Sequence, residues 1–123
     1  MSSIIAVYGT LRHGERANGL MKGCKYLGTD TVKGTLHNLG AFPALKKSET
    51  DTVVVDLYQF PNQLVLQGLD KYEGYYPTQP DQCLYQRVLT TTEEGCAEVW
   101  VYEYLFDPPQ GSQIKDGDWL NVD

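Results

Sequence analysis

Cysteine is scarce in this 123-residue chain, with Cys24, Cys83 and Cys96 far apart and odd in number. No pair has the close spacing of a zinc or redox motif, and an odd count argues against a disulfide framework. Histidine is scarcer, at His13 and His37 only, and neither adjoins a cysteine. A Cys–His nucleophile therefore has no support, and buried or incidental thiols are the reading for all three cysteines. Positive charge is also in short supply: ten Lys and Arg stand against sixteen Asp and Glu, a formal charge of −6. Binding to a phosphate backbone draws on clustered Lys and Arg. The basic spots here (Arg12, His13 and Arg16; Lys22 and Lys25; Lys46 and Lys47) have no aromatics interleaved, so no nucleic-acid partner is expected. No apolar run approaches the length that spans a bilayer. Met1-Ser2-Ser3 lacks the basic region and apolar core of a secretion signal, so a soluble, cytoplasmic protein is expected. Internal repeats and low-complexity segments are missing too. That leaves a single domain over residues 1–123, long enough for one hydrophobic core. Nothing in the sequence indicates an oligomeric state.

What is present begins near the N-terminus. Ile4-Ile5-Ala6-Val7 reads as a buried strand and runs into Tyr8-Gly9-Thr10-Leu11-Arg12-His13-Gly14. Gly9 can take backbone angles closed to other residues, so the strand is expected to turn sharply there. Successive N–H groups at such a turn can face one concavity and hold a carboxylate. Taken alone, the stretch reads as an ordinary glycine turn.

Further along, residues 15–22 have partial helical spacing, kept short by the glycines at 14, 19 and 23. Residues 25–32 and 33–39 read as two strands whose glycines suggest bulges or bends. Residues 40–45 read as a proline-containing loop and 46–52 as an exposed turn. Residues 53–60 are the clearest strand, with 53, 55 and 57 facing one way and 54, 56 and 58 the other. A short helix is expected over 63–72, with Glu73 at or just past its end. Residues 74–82 form a tyrosine-rich loop, and 83–92 and 96–105 read as strands joined at Glu93-Glu94-Gly95. Pro108 and Pro109 follow the second. Many strands with two short helices imply an α+β architecture.

A second stretch, Leu69-Asp70-Lys71-Tyr72-Glu73-Gly74-Tyr75, is followed by Leu84-Tyr85-Gln86-Arg87. Together with the Tyr8–Leu11 segment it resembles the gamma-glutamylcyclotransferase-like family, especially its gamma-glutamylamine cyclotransferase branch. The resemblance runs from Ile5 to about Leu120. It implies an α+β fold, a small mixed β-barrel with short flanking helices. It also implies cleavage of a γ-glutamyl amide: the α-amine attacks the γ-carbonyl, and 5-oxoproline and an amine are released. That ring closure is intramolecular and needs no metal, cofactor or external nucleophile, because positioning lowers the barrier and one carboxylate can shuttle the protons.

By the same resemblance Glu73 is the catalytic carboxylate, and the backbone of Tyr8, Gly9, Thr10 and Leu11 binds the α-carboxylate. Tyr85 is a pocket tyrosine, and Pro43 belongs to a pocket-bordering Gly-x-Phe-Pro-Ala segment. Arg12 is a pocket candidate at the rim or a solvated cation, and Tyr102 is a weaker pocket candidate or core. Asn18 is either a functional residue or a helix cap. Leu69, Tyr72, Tyr75 and Tyr76 around Glu73 would raise its pKa by desolvation. Asp70, its nearest rival, suits solvent or capping better, and Arg87 is expected to pair with an acid. Trp119 of the Gly-Asp-Trp tail is expected to pack against the barrel. The loop between Glu73 and Tyr85 looks longer than in the gamma-glutamylamine branch, which leaves the leaving group open. The alternatives are a γ-glutamyl amino acid, an acylated biosynthetic intermediate, or a non-catalytic module holding a small carboxylate.

Overall fold

β-Branched and aromatic residues build the sheets of the computed structural model, which describes residues 2–121. The longer sheet has five strands in the order β2-β5-β1-β7-β6. These are β1 (Ile4–Val7), β2 (Lys25–Lys33), β5 (Thr52–Gln59), β6 (Tyr85–Thr91) and β7 (Glu98–Tyr104). β1 lies antiparallel to β5 and parallel to β7, where Ile5 pairs with Trp100. A strand enclosed in this way needs apolar side chains on both faces. Ile5 and Val7 accordingly enter one core cluster, and Ala6 and Tyr8 another. β5 divides its side chains in the same way: Val53, Val55 and Leu57 lie in one cluster, and Tyr58 lies with Phe60 in the other. The period-two reading of this strand matches that division.

A second, three-stranded sheet has the order β4-β3-β8, from β3 (Thr35–Asn38), β4 (Pro43–Lys46) and β8 (Gln113–Ile114). β4 corrects the expectation of a loop and turn across 40–52. It is four residues long and begins on proline, so its sequence carries little strand signal, yet it pairs with β3 and buries Pro43, Ala44 and Leu45. As an edge strand opening on Pro43, it has no ladder bond to lose at that position. The Lys46 ammonium donates to the Tyr104 carbonyl (2.8 Å) and ties the two sheets together.

The helix expected over 15–22 is reduced to one 3-10 turn, Asn18–Met21, whose one buried side chain is Met21. In contrast, α1 (Gln63–Glu73) is well defined at both ends. The Asn62 side chain accepts the Val65 N–H (3.1 Å) at its start, while Leu66 and Leu69 bury its inner face. Gly74 stops it in the left-handed region at φ 74°, with its N–H directed to the Asp70 and Lys71 carbonyls. This cap leaves Glu73 as the last helical residue. The three cysteines are free: Cys83 is buried, Cys24 half-buried and Cys96 exposed. Trp119 packs against the core cluster that includes Ala6 and Tyr8. Among the described residues no helix is long and apolar enough to cross a membrane.

Candidate active site

Where β1 ends, the following loop faces the C-terminus of α1 and the starts of β4 and β6, enclosing a cavity of about 250 Å³. Tyr8, Gly9, Thr10, Leu11, Pro43, Glu73, Tyr85 and Tyr102 all line it. Residues separated by up to 94 positions are thereby brought around one space.

Glu73 is set into the cavity wall by the left-handed cap behind it. Burial pushes its carboxyl up from 4.5 to about 7, because the charged form loses water. Among the described residues, neither a hydrogen bond nor a neighbouring cation offsets that effect. A carboxyl titrating near neutrality can both take and return a proton.

Opposite it, the loop after β1 is held from outside the cavity. Arg12 N–H donates to the Gly9 carbonyl (3.0 Å) and Ala17 N–H to that of Thr10 (2.9 Å). The Asn18 amide nitrogen donates to the Leu11 carbonyl and to the Tyr58 hydroxyl, both at 2.9 Å. Asn18 therefore braces the loop rather than capping a helix. Among the described residues, the N–H groups of Gly9, Thr10 and Leu11 make no backbone hydrogen bond of their own. They remain available to an anion. Gly9 is glycine for a different reason from the one expected. Its φ is not positive; instead, an added Cβ would stand 2.4 Å from Cγ of Pro43.

Three phenols complete the buried wall. The Tyr8 hydroxyl donates to the Tyr102 carbonyl (2.7 Å), Tyr85 to the Pro43 carbonyl (2.9 Å), and Tyr102 to Oδ1 of Asp70 (2.7 Å). Burial raises the pKa of all three, and the nearby Glu73 charge adds to the effect. Their protons are committed to protein acceptors, so each can offer a bound molecule only a lone pair. The cavity lining thus combines free backbone N–H groups, phenolic oxygens and one carboxyl.

Two expected roles change. Arg12 is 3% exposed and does not line the cavity. Its guanidinium pairs with Asp56 (3.2 Å) and Asp118 (2.7 Å), while Asp56 also accepts the His13 N–H (2.9 Å) and the Thr29 hydroxyl (3.1 Å). Asp70 is neither solvated nor a cap: it is 6% exposed and pairs with Arg87 at 2.8 Å. The expected acid partner of Arg87 is thus identified. The Arg87 guanidinium also lies over the Trp100 ring, 4.3 Å from its centroid. Phe42 of the pocket-bordering segment and Tyr72 and Tyr76, expected around Glu73, also line the cavity, whereas reading the sequence missed Arg16, Lys71 and Leu84. Lys71 and Leu84 stand within the motif segments and could have been inferred; Arg16 carried no such signal. Among the described residues no group of three His, Cys, Asp or Glu side chains is placed to hold a metal ion.

Comparison with known proteins gives concordant results. A family model described as gamma-glutamyl cyclotransferase, AIG2-like, matches residues 5–121. A Vibrio cholerae protein named as a proposed gamma-glutamylcyclotransferase is 32% identical over 121 residues, covering 97% of this chain and 96% of the relative. The crystal structure of an uncharacterized protein from Pyrococcus horikoshii superposes with a TM-score of 0.74 at 27% identity, covering 96% of this chain and 90% of that one. An AIG2-like protein from Mus musculus shares the fold, with a TM-score of 0.68 at 21% identity, over 98% of this chain and 84% of that one.

Proposed function

Because this chain belongs to the gamma-glutamyl cyclotransferase, AIG2-like family, we propose that it cleaves a γ-glutamyl amide to 5-oxoproline and a free amine. The observation that carries the reading is Glu73, a carboxyl pushed to about 7 in a cavity with unpaired N–H donors opposite it. In this reading the Gly9, Thr10 and Leu11 amides receive the α-carboxylate, and the phenolic oxygens of the buried wall accept from the α-ammonium. The ionised Glu73 takes one proton from that ammonium. The amine nitrogen then bonds to the γ-carbonyl carbon, and the carbonyl electrons move to oxygen. As they return, the bond to the leaving nitrogen breaks and Glu73 gives its proton to that nitrogen. The carboxylate so restored takes the surplus proton from the ring nitrogen and passes it to the released amine, which departs as an ammonium. The protons balance within one carboxyl, so the cycle calls for no metal and no external nucleophile. Most of the acceleration comes from holding the folded substrate in attack geometry.

The test is mass-spectrometric detection of 5-oxoproline from a panel of γ-glutamyl amines and γ-glutamyl amino acids, with Glu73→Gln protein in parallel. Turnover is expected to fall by roughly 10²–10⁴-fold in the variant, while 5-oxoproline still binds. Retained turnover removes Glu73 from the mechanism. Binding of 5-oxoproline without turnover of any panel member favours a module that holds small carboxylates.

A further inference from the structure

The buried part of the cavity accounts for an amino-acid head and leaves its exposed mouth unexplained. Four large side chains line the cavity while remaining open to solvent: Phe42 (38% exposed), Tyr72 (44%), Tyr76 (36%) and Leu84 (45%). They come from the approach to β4, the end of α1, the loop after it and the approach to β6. Water-facing apolar surface gathered from separate segments around one opening marks a contact site.

This collar is held in place. The Tyr72 hydroxyl lies 3.1 Å from that of Thr10. Tyr76 is fixed by the buried Cys83: its N–H donates to Sγ (3.1 Å), and the thiol donates to its carbonyl (3.3 Å). That exchange gives Cys83 a structural role in the long loop after Glu73. Leu84 N–H bonds to the Gly74 carbonyl (3.2 Å) and Leu105 N–H to the Leu84 carbonyl (2.9 Å), so its backbone is pinned on both sides. The Phe42 ring sits 6.5 Å from that of Tyr85.

The lining also carries positive charge. Besides Glu73, the charged side chains lining the cavity among the described residues are Arg16 and Lys71. Arg16 is anchored through Nη2 to the Ala41 carbonyl (2.5 Å). In a chain of net charge −6, these two cations share the lining with Glu73 as its one acid among the described residues, and they offer charge partners to a carboxylate.

Resting on the cyclotransferase reading, we infer that the leaving group is a large apolar or aromatic amino acid. Its side chain lies in the collar, and its carboxylate turns toward Arg16 and Lys71. A γ-glutamyl derivative of phenylalanine is then a better substrate than one of a small or cationic amine.

The experiment compares kcat/KM for four compounds: γ-glutamyl-phenylalanine, γ-glutamyl-alanine, γ-glutamyl-phenethylamine, and a lysine amide linked through its ε-amine. Phenylalanine is expected to exceed alanine by at least about tenfold, the worth of a modest apolar contact, and to exceed phenethylamine through its carboxylate. Tyr76→Ala is expected to collapse the phenylalanine-to-alanine ratio, and Arg16→Gln the phenylalanine-to-phenethylamine ratio. Equal or inverted ratios in the wild-type protein, with 5-oxoproline formed, overturn the leaving-group inference and leave the reaction standing. No 5-oxoproline from any of the four overturns both.

Discussion

Gly9 lies so close to the Pro43 ring that the Cβ it lacks would fall 2.4 Å from Cγ and 2.7 Å from Cδ. The loop with the free N–H groups and the strand whose carbonyl receives the Tyr85 hydroxyl are therefore in direct contact. No side chain fits between them.

Gly9→Ala is expected to displace that loop, since a proline ring has little freedom to yield. Overpacking of this kind costs about 1–3 kcal/mol, and the misplaced donors should lower kcat/KM by on the order of a hundredfold. Thermal unfolding and turnover measure the two effects. Pro43→Ala introduced into the Gly9→Ala protein should restore part of both, and no restoration would sink the contact as the cause.

The raised pKa of Glu73 sets opposite trends in activity and stability. As the acting base it must be ionised, so kcat/KM should climb with pH and level off above about 7. For stability, below 4.5 the carboxyl is protonated in both the folded and the unfolded chain. Between 4.5 and about 7 the folded chain keeps a proton that the unfolded chain has shed, and stability falls as pH rises. The deficit, up to about 3 kcal/mol, is complete once the folded group ionises. Glu73→Gln should thus be more stable than the wild type at pH 8 and close to it near pH 4.5, as read by urea unfolding at both values.

Asp70 and Arg87, 2.8 Å apart and largely shielded from water, form a pair in which each leaves the other stranded if removed. Asp70→Asn alone is expected to cost about 3 kcal/mol. Replacing both, with Arg87→Met, should cost clearly less than the sum of the single changes. Additive losses in that double-mutant cycle would show that the pair contributes no coupling. Tyr102→Phe, which removes one donor to Asp70, should cost about 1 kcal/mol by itself.

Local chemistry settled a definite part of this molecule. The alternation of residues 53–58 and the apolar run from Ile4 to Val7 are periodic signals, and each describes a strand without reference to anything distant. Asn62 and Gly74 fix where α1 starts and stops through groups within a few residues. The spaced Tyr-Gly-Thr-Leu and Leu-Asp-x-x-Glu-Gly segments gave the family resemblance and singled out Glu73. The folded chain alone decided which side chains meet. Arg12 finds Asp56 44 positions away and Asp118 106 positions away, so an arginine expected at the rim or in solvent becomes a buried brace. Gly9 is constrained by the Pro43 ring rather than by its own backbone angles. β4 is a strand because β3 offers it a partner, and Arg16 reaches the cavity from a stretch whose partial helical spacing does not point to it. Propensity and periodicity act over a few residues, whereas ion pairing, close packing and cavity lining depend on distances that only chain closure creates.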